Sequence, residues 1–118
     1  MKIMKLPEDL DNENSYESQD GTTIAEIELN NEYSLAYGEL KARKSNKQHT
    51  MTMKELYFIL EGNGIIKVNN FEHQIEKGDV IVIPENAVQK ITNTGRKKLR
   101  FLMIVNPPYD PKKEIILE

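Results

Sequence analysis

The stretch HTMTMKELYFILEG occupies residues 49–62. His49, Met51 and Glu55 have the same parity, and Tyr57 and Ile59 continue it. Successive side chains of an extended chain point to opposite faces, so these residues share one side of a strand. The spacing predicts an extended segment through Leu60, ended by the glycine-marked turn of residues 61–64. A glutamate on an otherwise inward face is costly without a partner. That partner is either a bound ion or another polar side chain of the same face, and His49 is one of only two histidines in the chain.

Outward from this stretch the period of two continues. TTIAEIELN alternates from Thr22, and Asn30-Asn31 follow as a turn pair. YSLAYGELKA comes next, ended by a basic loop at 43–48. IIKV, the Asn69-Asn70 turn and FEHQI read as a hairpin, and EKGD turns into VIVI. Pro84-Glu85-Asn86 breaks that strand, VQKIT resumes, NTGRK turns, and LRFLMIV is the last long strand before NPPYDP. About nine short strands at this spacing, with no long helical period, indicate an all-β sandwich or barrel. The expected organisation is an N-terminal arm at 1–21, a barrel at 22–106 and a C-terminal tail at 107–118. The arm is polar and acidic and reads as loosely held.

The 118 residues suffice for one domain with one core. There is no cysteine, which excludes disulfides, thiolate metal sites and a thiol nucleophile. No apolar run approaches the ~20 residues of a membrane span, and the N-terminus has no apolar signal core. A cytoplasmic protein without a membrane partner is the expectation. Residues 1–40 carry two lysines against ten acids, whereas residues 41–100 carry twelve basic residues against six acids. The basic clusters KARKSNK (41–47) and GRKKLR (95–100) have no interleaved aromatics. They read as solvated loops, and no nucleic-acid partner is expected.

Residues 49–62 resemble the first motif of the cupins, H-x-H, three or four residues, E, six residues, G. His49, Glu55 and Gly62 match, and Met51 replaces the second histidine. GDVIVIPENAVQKITN, residues 78–93, resembles the second motif. Gly78, Pro84 and Asn93 match. Asn86 stands where glycine is usual, and Gln89 where the metal-binding histidine would be. The first motif's leading glycine, with five residues between it and His49, is replaced by Arg43. Fifteen residues separate the motifs, as in cupins with a minimal hairpin. The segment from Ile83 to Pro111 is similar to a subgroup of small bacterial and archaeal cupins in which glutamine at this position is common. The resemblance covers about residues 22–106 and implies a double-stranded β-helix, or jelly-roll barrel.

It also implies a site. Cupins typically hold one divalent ion inside the barrel with three histidines and a glutamate. This chain offers His49, Glu55 and Gln89, a thin set for Zn, Fe, Ni or Mn. A thioether is soft, so Met51 suits copper(I) or serves as an apolar wall. Met51, Gln89 and Tyr57 are candidate ligand contacts, and Glu55 and Tyr57 candidate proton-transfer groups. A Glu55–His49 pair is itself a usable acid/base couple. Tyr37 and Met53 read as pocket wall or core, and His73 as a surface residue. Gly62, Gly64, Gly78 and Pro84 read as turn residues.

Three functions stay open at this level: a metal-dependent isomerase, lyase or oxygenase acting on a sugar or carboxylic acid, a metal-free sugar- or ligand-binding module, and a structural dimer with a degenerate pocket. Phe58, Leu60, Phe101 and Met103 do not all face inward, so an outward apolar surface is expected. The resemblance implies a homodimer, with the N-terminal arm reaching the partner.

Overall fold

The computed structural model describes residues 1–118, and the period-two segments form its strands, the first of which begins at Tyr16. One sheet has the order β1 (Tyr16–Glu17), β2 (Thr23–Leu29), β3 (Ser34–Leu40), β10 (Leu99–Asn106), β5 (Lys54–Glu61), β8 (Val80–Ile83). The other has the order β11 (Glu114–Ile116), β4 (His49–Met51), β9 (Gln89–Asn93), β6 (Asn63–Val68), β7 (Phe71–Glu76). All pairings are antiparallel. The fold is the all-β double-stranded β-helix expected from the sequence. No helix is long and apolar enough to cross a membrane.

Residues 49–62 are not one strand. β4 lies in the five-stranded sheet and β5 in the six-stranded sheet, with a bend at Thr52–Met53 between them. The inward parity survives the crossing: His49, Met51, Met53, Glu55, Tyr57 and Ile59 are all buried. The stretch therefore turns a corner of the barrel while keeping one face inside, which period alone cannot distinguish from a straight strand.

One end of the interior is filled by Tyr57, Ile59, Ile66, Ile91, Leu99 and Phe101. The Tyr57 and Phe101 rings meet edge to face at 5.4 Å and 71°. Phe101 fits because Gly38 lies opposite it on β3; a Cβ there would stand 2.5 Å from the ring. At the other end a small cluster of Met51, Met53 and Val105, with Tyr109 packed on it, leaves open space.

Two motif departures keep glycine-like backbones. Arg43 and Asn86 have φ of 65° and 67°, in the left-handed region that glycine adopts freely. Asn93 acts as a hub. Its Nδ2 donates to the carbonyls of Leu40 (3.0 Å) and Lys97 (2.8 Å), and its Oδ1 accepts from the Gly95 amide at 2.9 Å. Its own backbone N–H donates to Lys44 at 2.8 Å. The motif asparagine thus ties both basic loops to the barrel.

Candidate functional site

The site lies between the sheets, where β4 and β9 face β5. His49 is directly opposite Gln89 in the β4–β9 register. The Gln89 amide nitrogen donates to Glu55 Oε1 at 3.0 Å, and the Tyr57 hydroxyl lies 3.4 Å from the Gln89 carbonyl oxygen. His49, Met51, Glu55, Tyr57 and Gln89 are all buried. His73 lies on the exposed face of β7.

The histidine itself turns to other partners. Its Nδ1 is 2.7 Å from the Lys47 carbonyl oxygen. A carbonyl only accepts, so Nδ1 carries the hydrogen and Nε2 is left facing inward. Nε2 lies 3.6 Å from Asp20 Oδ2 and 3.7 Å from Glu114 Oε2. Asp20 comes from the turn before β2, and Glu114 begins β11. Each carboxylate is oriented through its other oxygen. Asp20 Oδ1 accepts from Ser18 Oγ at 2.6 Å and the Thr22 amide at 2.9 Å. Glu114 Oε1 accepts from Gln19 Nε2 at 2.7 Å and the Tyr109 hydroxyl at 2.8 Å. One potential ligand atom from each of Asp20, His49 and Glu114 falls within 4.8 Å of the others.

Beside this trio is a cavity of about 100 Å³. Ile24, Ala36, Met103 and Val105 supply apolar wall, while Asp20, Glu55 and Glu114 bring carboxyl groups to it. Met51 also lines it, but Tyr57 and Gln89 do not. Burial pushes the Glu55 carboxyl up to about 8; the Gln89 hydrogen bond opposes this, and the charges of Asp20 and Glu114 add to it. Glu55 is therefore a neutral acid at pH 7. Burial, and secondarily the charge of Glu55, raises the Tyr57 phenol well above its ordinary range. Burial and then the Glu114 hydrogen bond raise Tyr109.

Residues 32–105, from β3 to the end of β10, match the family described as the cupin domain. The chain belongs to the cupin family. An uncharacterized protein of Methanocaldococcus jannaschii, MJ1618, is 35% identical over 124 residues, spanning 100% of this chain and 98% of its own. An RmlC-like cupin family protein from the same organism has a TM-score of 0.73 at 16% identity, covering 96% of this chain and 94% of that one. A predicted oxalate decarboxylase from Thermotoga maritima has a TM-score of 0.68 at 26% identity, covering 73% of this cupin and 80% of that chain.

Sequence reasoning about this cupin did not single out Asp20 or Glu114. They lie 29 residues before and 65 residues after His49, so no local spacing links them to it. Asp20 fell within the stretch read as a loosely held arm, and it stands before Gly21, whose φ is 93°. Glu114 carried no signal, because its position depends on β11 pairing with β4, where Glu114 stands opposite Met51.

Proposed function

We propose that this cupin binds a small polar organic molecule in the cavity between its sheets, with a divalent ion as the contact to the ligand's oxygen atoms. The observation that carries this reading is the cavity, where apolar wall meets the carboxyl groups of Asp20, Glu55 and Glu114. Pockets that select small molecules combine these two kinds of surface. The volume suits a compact metabolite rather than a drug-sized ligand. Clustered carboxyl groups repel an anionic ligand unless a cation is present, so a carboxylic acid would enter only after the ion, whereas a sugar or polyol needs no such help. The likeness to a predicted oxalate decarboxylase supports including small acids among the candidates.

Glu55 is the group placed to hold or move a proton at the ligand, since it reaches the cavity and is neutral at pH 7. Tyr57 acts behind it, through Gln89. A metal-free binding module is the second reading, favoured by one observation: the Tyr57–Gln89–Glu55 chain is completed by protein groups alone. A thermal-shift panel of small hydroxy acids, keto acids, sugars and polyols, run with Mn²⁺ or Zn²⁺ and again with EDTA, tests both. Ligand at 100 times its Kd stabilises by about 2.7 kcal/mol. The expected result is a melting rise of about ten degrees for one chemical class, lost in Ala36→Leu, which fills the cavity. A rise that survives EDTA selects the metal-free reading; no rise with any class refutes ligand binding.

A second copy of the chain is the partner this reading assigns to the outer face of the six-stranded sheet. Phe58 is paired with Val80 and Leu56 with Val82, and the same two residues face Leu102 and Ile104 across β10. Phe58, Val80, Val82 and Ile104 are exposed, which leaves a contiguous apolar patch.

A further inference from the structure

The geometry assigns the divalent ion to Asp20, His49 and Glu114, so that two of its three protein ligands come from outside the cupin motifs. This deepens the reading of the barrel as a metal-assisted site, but it is tested by the ion alone, without any organic ligand.

Four features support the assignment. First, the motif positions are already engaged. The Gln89 amide nitrogen donates to Glu55 and its carbonyl oxygen accepts from the Tyr57 hydroxyl, while Met51 packs with Met53 and Val105. Second, each of the three proposed ligands is held from behind, as ligating side chains are. His49 Nδ1 is fixed by the Lys47 carbonyl, Asp20 Oδ1 by Ser18 and Thr22, and Glu114 Oε1 by Gln19 and Tyr109. What remains is one ligand atom apiece, all within 4.8 Å of one another, and the side chains of His49, Asp20 and Glu114 are only 2%, 10% and 4% exposed.

Third, the distances suit an ion better than a proton. An N–H donor would draw one oxygen to about 2.9 Å. Instead Nε2 stands nearly equidistant, at 3.6 and 3.7 Å, from the two oxygens. With bonds of about 2.1 Å, ligand atoms sit about 3.0 Å apart in an octahedral arrangement and about 3.4 Å apart in a tetrahedral one. A contraction of a few tenths of an ångström brings each carboxylate oxygen into this range of Nε2, and the three ligand atoms already lie within 4.8 Å of one another. Fourth, two carboxylates and a neutral imidazole balance a 2+ charge in a place where water provides little screening. The donor set of one nitrogen and two oxygens, without sulfur, fits Zn²⁺, Fe²⁺, Co²⁺ or Mn²⁺.

The site therefore needs the arm and the tail as well as the barrel. Gln19 spans the two, bonding to Glu114, Tyr109 and the Pro111 carbonyl.

The test is calorimetric titration of the full-length, tag-free protein, stripped with EDTA, with Zn²⁺ and separately with Mn²⁺. One ion per chain is expected. Asp20→Asn and Glu114→Gln should each weaken binding at least tenfold, and His49→Gln should abolish it. Glu72→Gln, on the exposed face of β7, should bind as the parent does. A second measurement needs no variant. With only two histidines present, Zn²⁺ should move the Nε2 nitrogen resonance of His49 and leave that of His73 in place. The assignment is overturned if no ion binds more tightly than millimolar, or if the His49 resonance does not respond. It is equally overturned if Glu55→Gln or Gln89→Ala loses the ion while the Asp20 and Glu114 variants retain it.

Discussion

Glu55→Gln tests whether the buried carboxyl is a neutral acid. Burial raises Glu55 from its ordinary value of 4.5 to about 8 in the folded protein. Between these values the folded chain keeps a proton that the unfolded chain has lost. The unfolded state then binds fewer protons, so stability falls as pH rises, by about 1.4 kcal/mol per pH unit. The contribution is fully present below pH 4.5, declines through the window and is exhausted above pH 8. From pH 5 to pH 7 the parent should lose about 2.5 kcal/mol relative to a chain without this group. Glutamine can still accept the hydrogen bond from Gln89 and does not titrate, so the variant should lack this slope. The assay is urea unfolding at pH 5, 6, 7 and 8 in EDTA, followed by the fluorescence of the five tyrosines or by circular dichroism. Subtracting the variant's profile removes all other titrating groups. Parallel profiles from pH 5 to pH 8 would refute the argument, because they would mean that Glu55 is ionised and solvated in the folded state.

Arg43→Gly should stabilise the protein by about 0.5–1 kcal/mol, since Arg43 is exposed at φ 65° and glycine relieves the left-handed strain; an unchanged or lower urea midpoint would contradict this. Asn93→Ala should cost about 2–4 kcal/mol by leaving two carbonyls and an amide without their partner, read as a lower midpoint at constant slope. Gly64→Ala should be at least as damaging, because its Cβ would overlap the Thr92 carbonyl oxygen of the paired strand β9; near-parental melting would show that the β6–β9 pairing yields easily. Light scattering at about 20 µM should give twice the 13.7 kDa chain mass for the parent and the single mass for Val82→Lys/Ile104→Lys. A monomeric parent, or a variant that remains dimeric, would remove the apolar face as the interface.

The sequence by itself determined the strand class, most turns and the inward face. Period two in residues 49–62 is enough to put His49, Met51, Glu55 and Tyr57 on one side, because pleating makes parity a geometric fact. Two spaced motifs extended this to the whole barrel, and Gly78, Pro84 and Asn93 marked its corners. Even the departures at Arg43 and Asn86 were legible as positions, though not as left-handed residues. Only the tertiary structure decided that the stretch breaks at Thr52–Met53 and crosses between sheets, since parity is unchanged by a bend that keeps the same face inside. The site partners were decided there as well. Gln89 reaches Glu55 because β9 and β5 lie in facing sheets, and Asp20 and Glu114 reach His49 because β11 adds to β4 and the turn before β2 folds over the cavity. Such convergence depends on which strands pair across tens of residues, and no local spacing rule carries that information.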